Sequence, residues 1–203
     1  MSTRVRAVLL ATIVVLAAGG ACARRSDLPH YDPALYAAAP SPAISPTPPF
    51  TWTNGSEYAL VVRKAERTLT LYRRGLQEVV YPIVLGIASS GPKLYQGDLR
   101  TPEGVYYISF KKPHDRWMRF MLLSYPNDGD RQRYAMALSE GRVPIIDGRP
   151  PGEGGAIGIH GTDREDMNIA GVDWTWGCVS MLNEHVAELY DRVGIGTPVL
   201  IED

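Results

Sequence analysis

GIHGTDREDMNIAGVDWTWGCVSM, residues 158–181, contains His160 eighteen positions before Cys178. The chain has only two cysteines, and the other, Cys22, follows an apolar N-terminal run. A thiol is mostly protonated at neutral pH, and a nearby imidazole can take its proton and create a nucleophile. The alternative is a cysteine that only packs as a small apolar side chain. The pair predicts nucleophilic catalysis of acyl transfer, through a thioester on Cys178 with His160 as base.

Glycines flank both members of this pair. Gly177 directly before the cysteine permits a sharp backbone turn, so that amide N–H groups can face a developing oxyanion. Alternation in GGAIGIHG (154–161) places Ile157 and Ile159 on one face of a short strand and His160 on the other. Because the isoleucine face should point into the core, we expect the His160 ring to stand over a glycine-lined face with room for a substrate.

The N-terminus is typical of an exported protein. Two arginines precede an apolar run over 7–18, and small residues follow, as in a signal peptide. The run is shorter than the roughly 20 residues that a membrane-crossing helix needs. Two endings to a leader at 1–23 fit: cleavage after Ala23, or lipidation of Cys22, which would anchor the protein to a membrane. With either ending Cys22 cannot pair with Cys178, which leaves a free thiol in the periplasm or cell envelope.

The remaining chain divides into a linker and one domain. Residues 24–55 contain seven prolines between Pro29 and Pro49, with alanine and serine between them, which is a linker composition. Residues 56–203 are long enough for one domain with its own core. The net charge of −1 argues against a nucleic-acid partner, which requires a basic surface.

Hydrophobic patterning in this domain indicates a mainly β fold with one or two short helices. Apolar residues spaced by three and four from Val186 to Val193 predict a helix, capped by Asn183 and ended by Gly194. A second helix is predicted at 130–140. Alternation and β-type runs predict strands at 57–63, 68–73, 78–86, 104–110 and 197–202.

The spacing around the cysteine resembles the signature of the L,D-transpeptidase catalytic domain family. That signature is His-Gly, an interval, and then Ser or Thr, any residue, Gly and Cys. Here the two parts are His160-Gly161 and Thr175-Trp176-Gly177-Cys178, with fourteen residues between His160 and Thr175. Four further stretches are similar to the family in the same order: ERTLTLYRRG (66–75), YPIVLG (81–86), GDLRTPEGVYYI (97–108) and GTPVLI (196–201). The resemblance covers most of the domain at 56–203 and implies a compact, β-sandwich-like fold.

The resemblance also implies a reaction on peptidoglycan stem peptides. Cys178 would attack the carbonyl of the third stem residue in a tetrapeptide, D-alanine would leave, and a thioester would form. An amine of a second stem peptide, or a lysine of an envelope protein, would then resolve the thioester. No metal or organic cofactor is implied.

Roles for the neighbours of the pair follow from the same resemblance. His160 would be oriented by a carbonyl or hydroxyl group of Gly161 or Thr162. Amide groups of Gly177 and Cys178 would form part of an oxyanion hole, with Thr175 opening the turn.

Two positions depart from the family pattern. Trp176 stands where many members have His or Arg, and Ser180 stands where many have an arginine that helps to hold the substrate. Other side chains must then bind the donor. The candidates for this substrate groove are Trp174, Trp176, Ser180, Arg119 and Arg164. Arg131 is a further candidate, beside Arg119 and Arg164, for binding a stem carboxylate.

Three alternatives remain open at this stage. The same Cys–His pair can use water as acceptor, giving an L,D-carboxypeptidase or hydrolase. A metallopeptidase is disfavoured because no H-E-x-x-H or comparable ligand spacing is present. A non-catalytic wall-binding module would use Cys178 only for packing, would keep its affinity for the cell wall in Cys178→Ser and would form no thioester.

Overall fold

The computed structural model describes residues 55–88 and 90–203. The predicted leader at 1–23, with Cys22, and nearly all of the linker at 24–55 lie outside the described residues, so these assignments stay predictions. No helix within the described ranges is long and apolar enough to cross a membrane.

Eight strands form one curled sheet. They are β1 (Tyr58–Arg63), β2 (Thr68–Arg73), β3 (Leu76–Pro82), β4 (Gly104–His114), β5 (Met118–Leu123), β6 (Gly158–His160), β7 (Val179–Ser180) and β8 (Pro198–Glu202). The strand order is β3-β2-β1-β8-β4-β5-β6-β7. Strand β8 lies parallel to β1 and antiparallel to β4. It therefore joins the two halves of the sheet, β3-β2-β1 and β4-β5-β6-β7.

The two edges of the sheet meet beside the cysteine. After β3 the chain forms isolated bridges from Val84 to Ser180 and from Gly86 to Thr175. These bridges attach the segment after β3 to the turn that contains Cys178. They also explain why the predicted strand at 78–86 is partly wrong: past Pro82 the chain leaves β2 and pairs with the opposite edge.

Three short helices accompany the sheet, α1 (Asp128–Ser139), α2 (Glu165–Ile169) and α3 (Asn183–Arg192). The predicted mainly β class is confirmed, with three helices instead of one or two. Helix α2 has five residues, which is too few to leave a recognisable period. Helix α1 begins with a capping box between Asn127 and Asp130, and the buried Asp130 carboxylate accepts a hydrogen bond from Tyr106 of β4.

Helix α3 buries the predicted apolar side, with Val186 and Leu189 fully enclosed. The predicted cap is wrong, however, because the N-cap is Leu182 and Asn183 already lies in the first turn. The Asn183 side chain instead pairs with the backbone of Thr162, accepting from its N–H at 2.9 Å and donating to its carbonyl at 3.0 Å. This pairing fixes the loop after β6 against the start of α3.

Candidate active site

His160 ends the short strand β6, opposite Phe120 of β5. Its ring is buried and stacks on Trp117 with 4.2 Å between ring centroids, while Trp117 stacks on His114 at 4.6 Å. The expectation of an uncrowded ring over a glycine-lined face is therefore wrong. The turn between β4 and β5, absent from the sequence prediction, brings Trp117 onto the ring.

The His160 ring is oriented by the next residue in the chain. Its Nδ1 lies 2.6 Å from the Gly161 carbonyl oxygen, and a carbonyl can only accept. Nδ1 is therefore assigned the proton, and Nε2 carries the free lone pair. Thr162, the other candidate for this role, uses its N–H with Asn183 and its hydroxyl as acceptor for the Arg164 N–H.

Burial dominates the protonation of His160. It lowers the pKa of the imidazole to about 4, because the charged form loses its hydration. The hydrogen bond to Gly161 opposes this shift, as does the negative charge of Asp163, whereas His114 and Arg116 add to it. At neutral pH the ring is an uncharged base.

The cysteine follows a turn that Thr175 stabilises. The Thr175 hydroxyl accepts from the Gly177 N–H at 3.2 Å and donates to the Cys178 carbonyl at 2.7 Å. Gly177 has φ +129°, and a Cβ there would lie 2.6 Å from the Arg100 carbonyl oxygen, so the turn requires glycine. The expectation that the Gly177 amide faces an oxyanion is wrong in this structure, because its N–H donates to Thr175.

The thiol of Cys178 is partly enclosed. Its Sγ lies 3.6 Å from the Ala156 carbonyl oxygen, to which it donates a weak hydrogen bond. Burial raises the pKa of the Cys178 thiol, while the Gly158 amide and the charge of Lys93 act in the opposite direction. The resting pair is thus a neutral thiol with a neutral imidazole.

One cavity of about 300 Å³ brings the pair together. Three predicted groove residues, Trp174, Trp176 and Arg164, belong to its wall. Trp174 is nearly buried, whereas Trp176 is 80 % exposed at the rim. The complete lining is Arg116, Trp117, His160, Arg164, Trp174, Thr175, Trp176 and Cys178.

Two of the predicted groove residues do not line this cavity. Arg119 precedes Phe120 in β5, and consecutive strand residues point to opposite faces. Its guanidinium accordingly lies 5.3 Å from the ring centre of Tyr190 on α3. Ser180 is fully buried, and its hydroxyl bonds to the Gly161 carbonyl and to Asn168.

The sequence prediction missed three residues around the site. Arg116 and Trp117 lie in the turn between β4 and β5, and the signal that could have found them is Asp115 between two β-type runs. Asn168 lies on the five-residue helix α2, where no local pattern marks it.

The two cavity arginines differ in their partners. Arg116 forms an ion pair with Asp163 at 2.6 Å. Arg164 lies 5.4 Å from the ring centre of Trp174 and has no carboxylate partner among the described residues. Within the same part of the chain no group of three potential metal ligands occurs.

A family model described as the L,D-transpeptidase catalytic domain (YkuD) matches residues 57–201. The chain belongs to this family. Members of the L,D-transpeptidase family act on peptidoglycan stem peptides and are associated with the cell envelope.

Individual relatives are distant. YafK of Escherichia coli (strain K12), which carries a provisional name as an L,D-transpeptidase, is 28 % identical over 145 residues, or 68 % of this chain and 48 % of YafK. The chain thus spans about half the length of the curated relatives it matches.

Two solved structures share the fold. Bd1075 of Bdellovibrio bacteriovorus has a TM-score of 0.51 and 22 % identity, covering 73 % of this chain and 48 % of its own. The helical cell shape determining protein Pgp2 of Campylobacter jejuni has a TM-score of 0.50 and 20 % identity, covering 72 % and 47 %. The predicted β-sandwich-like L,D-transpeptidase fold is confirmed.

Proposed function

We propose that this protein is a cysteine acyltransferase that acts on peptidoglycan tetrapeptide stems. The observation that carries the proposal is that Cys178 and His160 line one and the same cavity. Family membership supports the substrate class. Because the thiol and the imidazole are both uncharged at rest, we expect proton transfer to accompany attack.

In the first half-reaction the Cys178 sulfur attacks the carbonyl carbon of the third stem residue. The thiol proton passes to Nε2 of His160, which is free because Nδ1 donates to Gly161. The Cys178 N–H is the proposed donor to the oxyanion, since the Gly177 N–H is bound to Thr175. When the C–N bond breaks, His160 returns the proton to the leaving amine of D-alanine.

In the second half-reaction an amine attacks the thioester. His160 takes one proton from this amine and gives it to the departing thiolate, so the resting thiol is restored with no net change at the enzyme. The acceptor is an amine of another stem or a lysine of an envelope protein. Because the resting pair is neutral, the reaction requires no charge separation before the substrate binds.

Arg164 is the proposed binding group for a carboxylate of the donor stem. It lines the cavity beside Trp174 and lacks an internal carboxylate partner among the described residues. A guanidinium is well suited to bidentate carboxylate binding. It would replace the arginine that many family members have two positions after the cysteine, where this chain has Ser180.

The test is incubation of the purified full chain with a disaccharide-tetrapeptide, followed by mass spectrometry. Transpeptidation gives two products. One is a dimer lighter than two monomers by one D-alanine, and the other is an acyl-enzyme adduct that maps to Cys178. Cys178→Ala should abolish both products. The matched control is Cys22→Ser, which removes the other thiol and should leave turnover unchanged.

Other products would change the conclusion. A shortened monomer without dimer would assign water as acceptor and make the protein an L,D-carboxypeptidase, after which crosslinked and protein-bearing muropeptides become the substrates to test. Full turnover by Cys178→Ala, or no change in any stem peptide with the unmodified chain, would contradict the proposal.

We also propose that the protein works in the cell envelope after export. The apolar run over 7–18 and the small residues before Cys22 support this location. Mass spectrometry of the N-terminal peptide distinguishes a lipidated Cys22 from cleavage after Ala23.

A further inference from the structure

Three buried side chains form a continuous row of hydrogen bonds behind His160. Trp174 Nε1 donates to Asn168 Oδ1 at 2.9 Å, and Asn168 Nδ2 donates to the Ser180 hydroxyl at 3.2 Å. The Ser180 hydroxyl donates to the Gly161 carbonyl oxygen at 3.2 Å. We call Trp174, Asn168 and Ser180 the relay. All three are less than a tenth exposed, so water does not compete for these groups.

The chemistry of the first residue sets the direction of every bond in the relay. An indole N–H can only donate, so the atom of Asn168 that faces Trp174 must be the amide oxygen. The amide NH₂ then faces Ser180, whose oxygen accepts. The remaining hydroxyl proton goes to the Gly161 oxygen at 3.2 Å in preference to Asn168 Oδ1 at 3.5 Å.

The relay ends on the carbonyl that orients the base. The Gly161 oxygen receives one hydrogen bond from Ser180 and one from His160 Nδ1. On the other side of the same peptide group, the Thr162 N–H donates to Asn183. Hydrogen bonds on both sides therefore fix the orientation of this peptide group, and Ser180 donates the one on the carbonyl side that does not come from His160.

We infer that Ser180 and Asn168 are positioning residues that keep the Gly161 carbonyl aimed at Nδ1 of His160 and so keep Nε2 as the proton acceptor. This inference rests on the proposed function. Ser180 occupies the position at which many family members have a substrate-holding arginine, and here that position acts on the base. Because Trp174 is also part of the cavity wall, the relay connects the wall to the tautomer of His160.

The primary test is Ser180→Ala, read by kinetics and by ¹⁵N NMR of histidine-labelled full-length protein at pH 8. Losing the hydroxyl frees the Gly161 carbonyl on one side. Turnover should fall about tenfold or more with KM little changed, because a small misplacement of a catalytic group is costly. In the NMR spectrum the His160 proton, held on Nδ1 in the unmodified protein, should distribute between both ring nitrogens.

A second variant, Asn168→Asp, tests the direction of the relay without removing any hydroxyl. A carboxylate can still accept from Trp174 Nε1 but has no proton for Ser180. The Ser180 hydroxyl should then donate to the new carboxylate and release Gly161. We expect the same loss of turnover and the same spread of the His160 proton as in Ser180→Ala.

Thr197→Val is the matched control. The Thr197 hydroxyl is buried and accepts one hydrogen bond from the Gly194 N–H, in the turn before β8 and away from the cavity. This variant should be less stable but keep turnover and the Nδ1 proton. His114, Arg116 and Asp163, the other titratable or charged groups acting on His160, are intact in all three variants.

The outcomes separate the two proposals. If turnover falls in Ser180→Ala or Asn168→Asp while the proton stays on Nδ1 of His160, the relay has only a structural role and the inference is overturned. Unchanged turnover in these variants would also overturn it. If the unmodified chain has no turnover on stem peptides, the proposed function fails, and the NMR comparison still decides whether the relay sets the tautomer.

Discussion

The neutral state of both Cys178 and His160 is the main chemical feature at the scale of single residues. A buried imidazole with a lowered pKa is a weak base, but it stays unprotonated well below neutral pH. A buried thiol with a raised pKa is unreactive towards adventitious electrophiles until a base removes its proton. In the proposed reaction, the rate should therefore depend on the alignment of the two groups with the carbonyl of the substrate.

Burial of His160 predicts a specific pH dependence of folding stability. The ordinary value of 6.5 applies to the unfolded chain and about 4 to the folded protein, so the unfolded state binds the proton first. The free energy of unfolding should fall as pH is lowered from 6.5 to 4, by on the order of 3 kcal/mol from this group. His185, whose pKa burial also lowers, adds to the same trend.

Urea unfolding of the full chain between pH 7 and pH 4.5 measures this dependence. His160→Gln should show a shallower fall in the free energy of unfolding than the unmodified protein. Parallel curves for the two proteins would contradict a buried neutral His160.

Arg164→Gln tests the proposed carboxylate contact. A hydrogen bond to a charged group contributes about 1.5–3 kcal/mol, so KM for the tetrapeptide should rise about tenfold or more with kcat little changed. Arg131→Gln is the control, because Arg131, also a candidate from the sequence, does not line the cavity and faces Asp128 and Glu153 from α1. Equal effects in both variants would exclude a specific role for Arg164.

At the scale of elements, the three-residue strand β6 is the critical piece. It pairs with β5 on one side and β7 on the other, and so aligns His160 with the segment that follows Cys178. Gly158 makes this possible, because a Cβ there would lie 2.6 Å from the Phe120 ring and 2.7 Å from the Met121 carbonyl oxygen.

Gly158→Ala should therefore destabilise the protein by about 1–3 kcal/mol through overpacking and reduce turnover with it. Gly155→Ala is the matched control in the segment just before β6, since a Cβ there meets nothing within 4 Å. Thermal unfolding and turnover of both variants check the prediction. A neutral Gly158→Ala would mean that β5 can move away from β6 at little cost.

Elements with a clear local hydrophobic pattern were predictable from the sequence. Elements that exist only because they pair with a distant strand were not. The period from Val186 to Val193 located α3, and alternation located β1 and β2. By contrast, the two residues of β7 are a strand only because β6 lies beside them. Asn183 looked like a cap but binds the Thr162 backbone, a contact across the fold that no local pattern encodes.

The same difference between local patterns and distant contacts applies to the site. The His160–Cys178 spacing identified the pair without a structure. The crowding of His160 was missed because Trp117 reaches it through the pairing of β4 with β5. Ser180 was placed in the groove by its position after the cysteine, whereas the β7 pairing turns it inward against Asn168.

At the scale of the whole molecule, β8 is the only strand that pairs with both halves of the sheet within the described residues. Val199 and Ile201 are buried in its centre. Deletion of 197–203 should leave β1 and β4 without a shared neighbour and prevent stable folding, with loss of turnover. Deletion of Asp203 alone, outside the strand, should be tolerated. Circular dichroism and size-exclusion chromatography of both truncations measure the difference, and a folded longer deletion would contradict this role for β8.

The central position of β8 also affects the stage of synthesis at which the sheet around the site can be completed. Of the eight strands it is the last that the ribosome makes, yet its register with β1 joins residues as far apart as Leu60 and Val199. Such distant pairings form slowly, on a scale of about milliseconds to seconds. The Cys178 turn is attached to Leu85 and Ile87 of the first half of the chain through Thr175. We therefore expect a nascent chain to complete the sheet around the Cys178 turn only after β8 has emerged and paired with both β1 and β4.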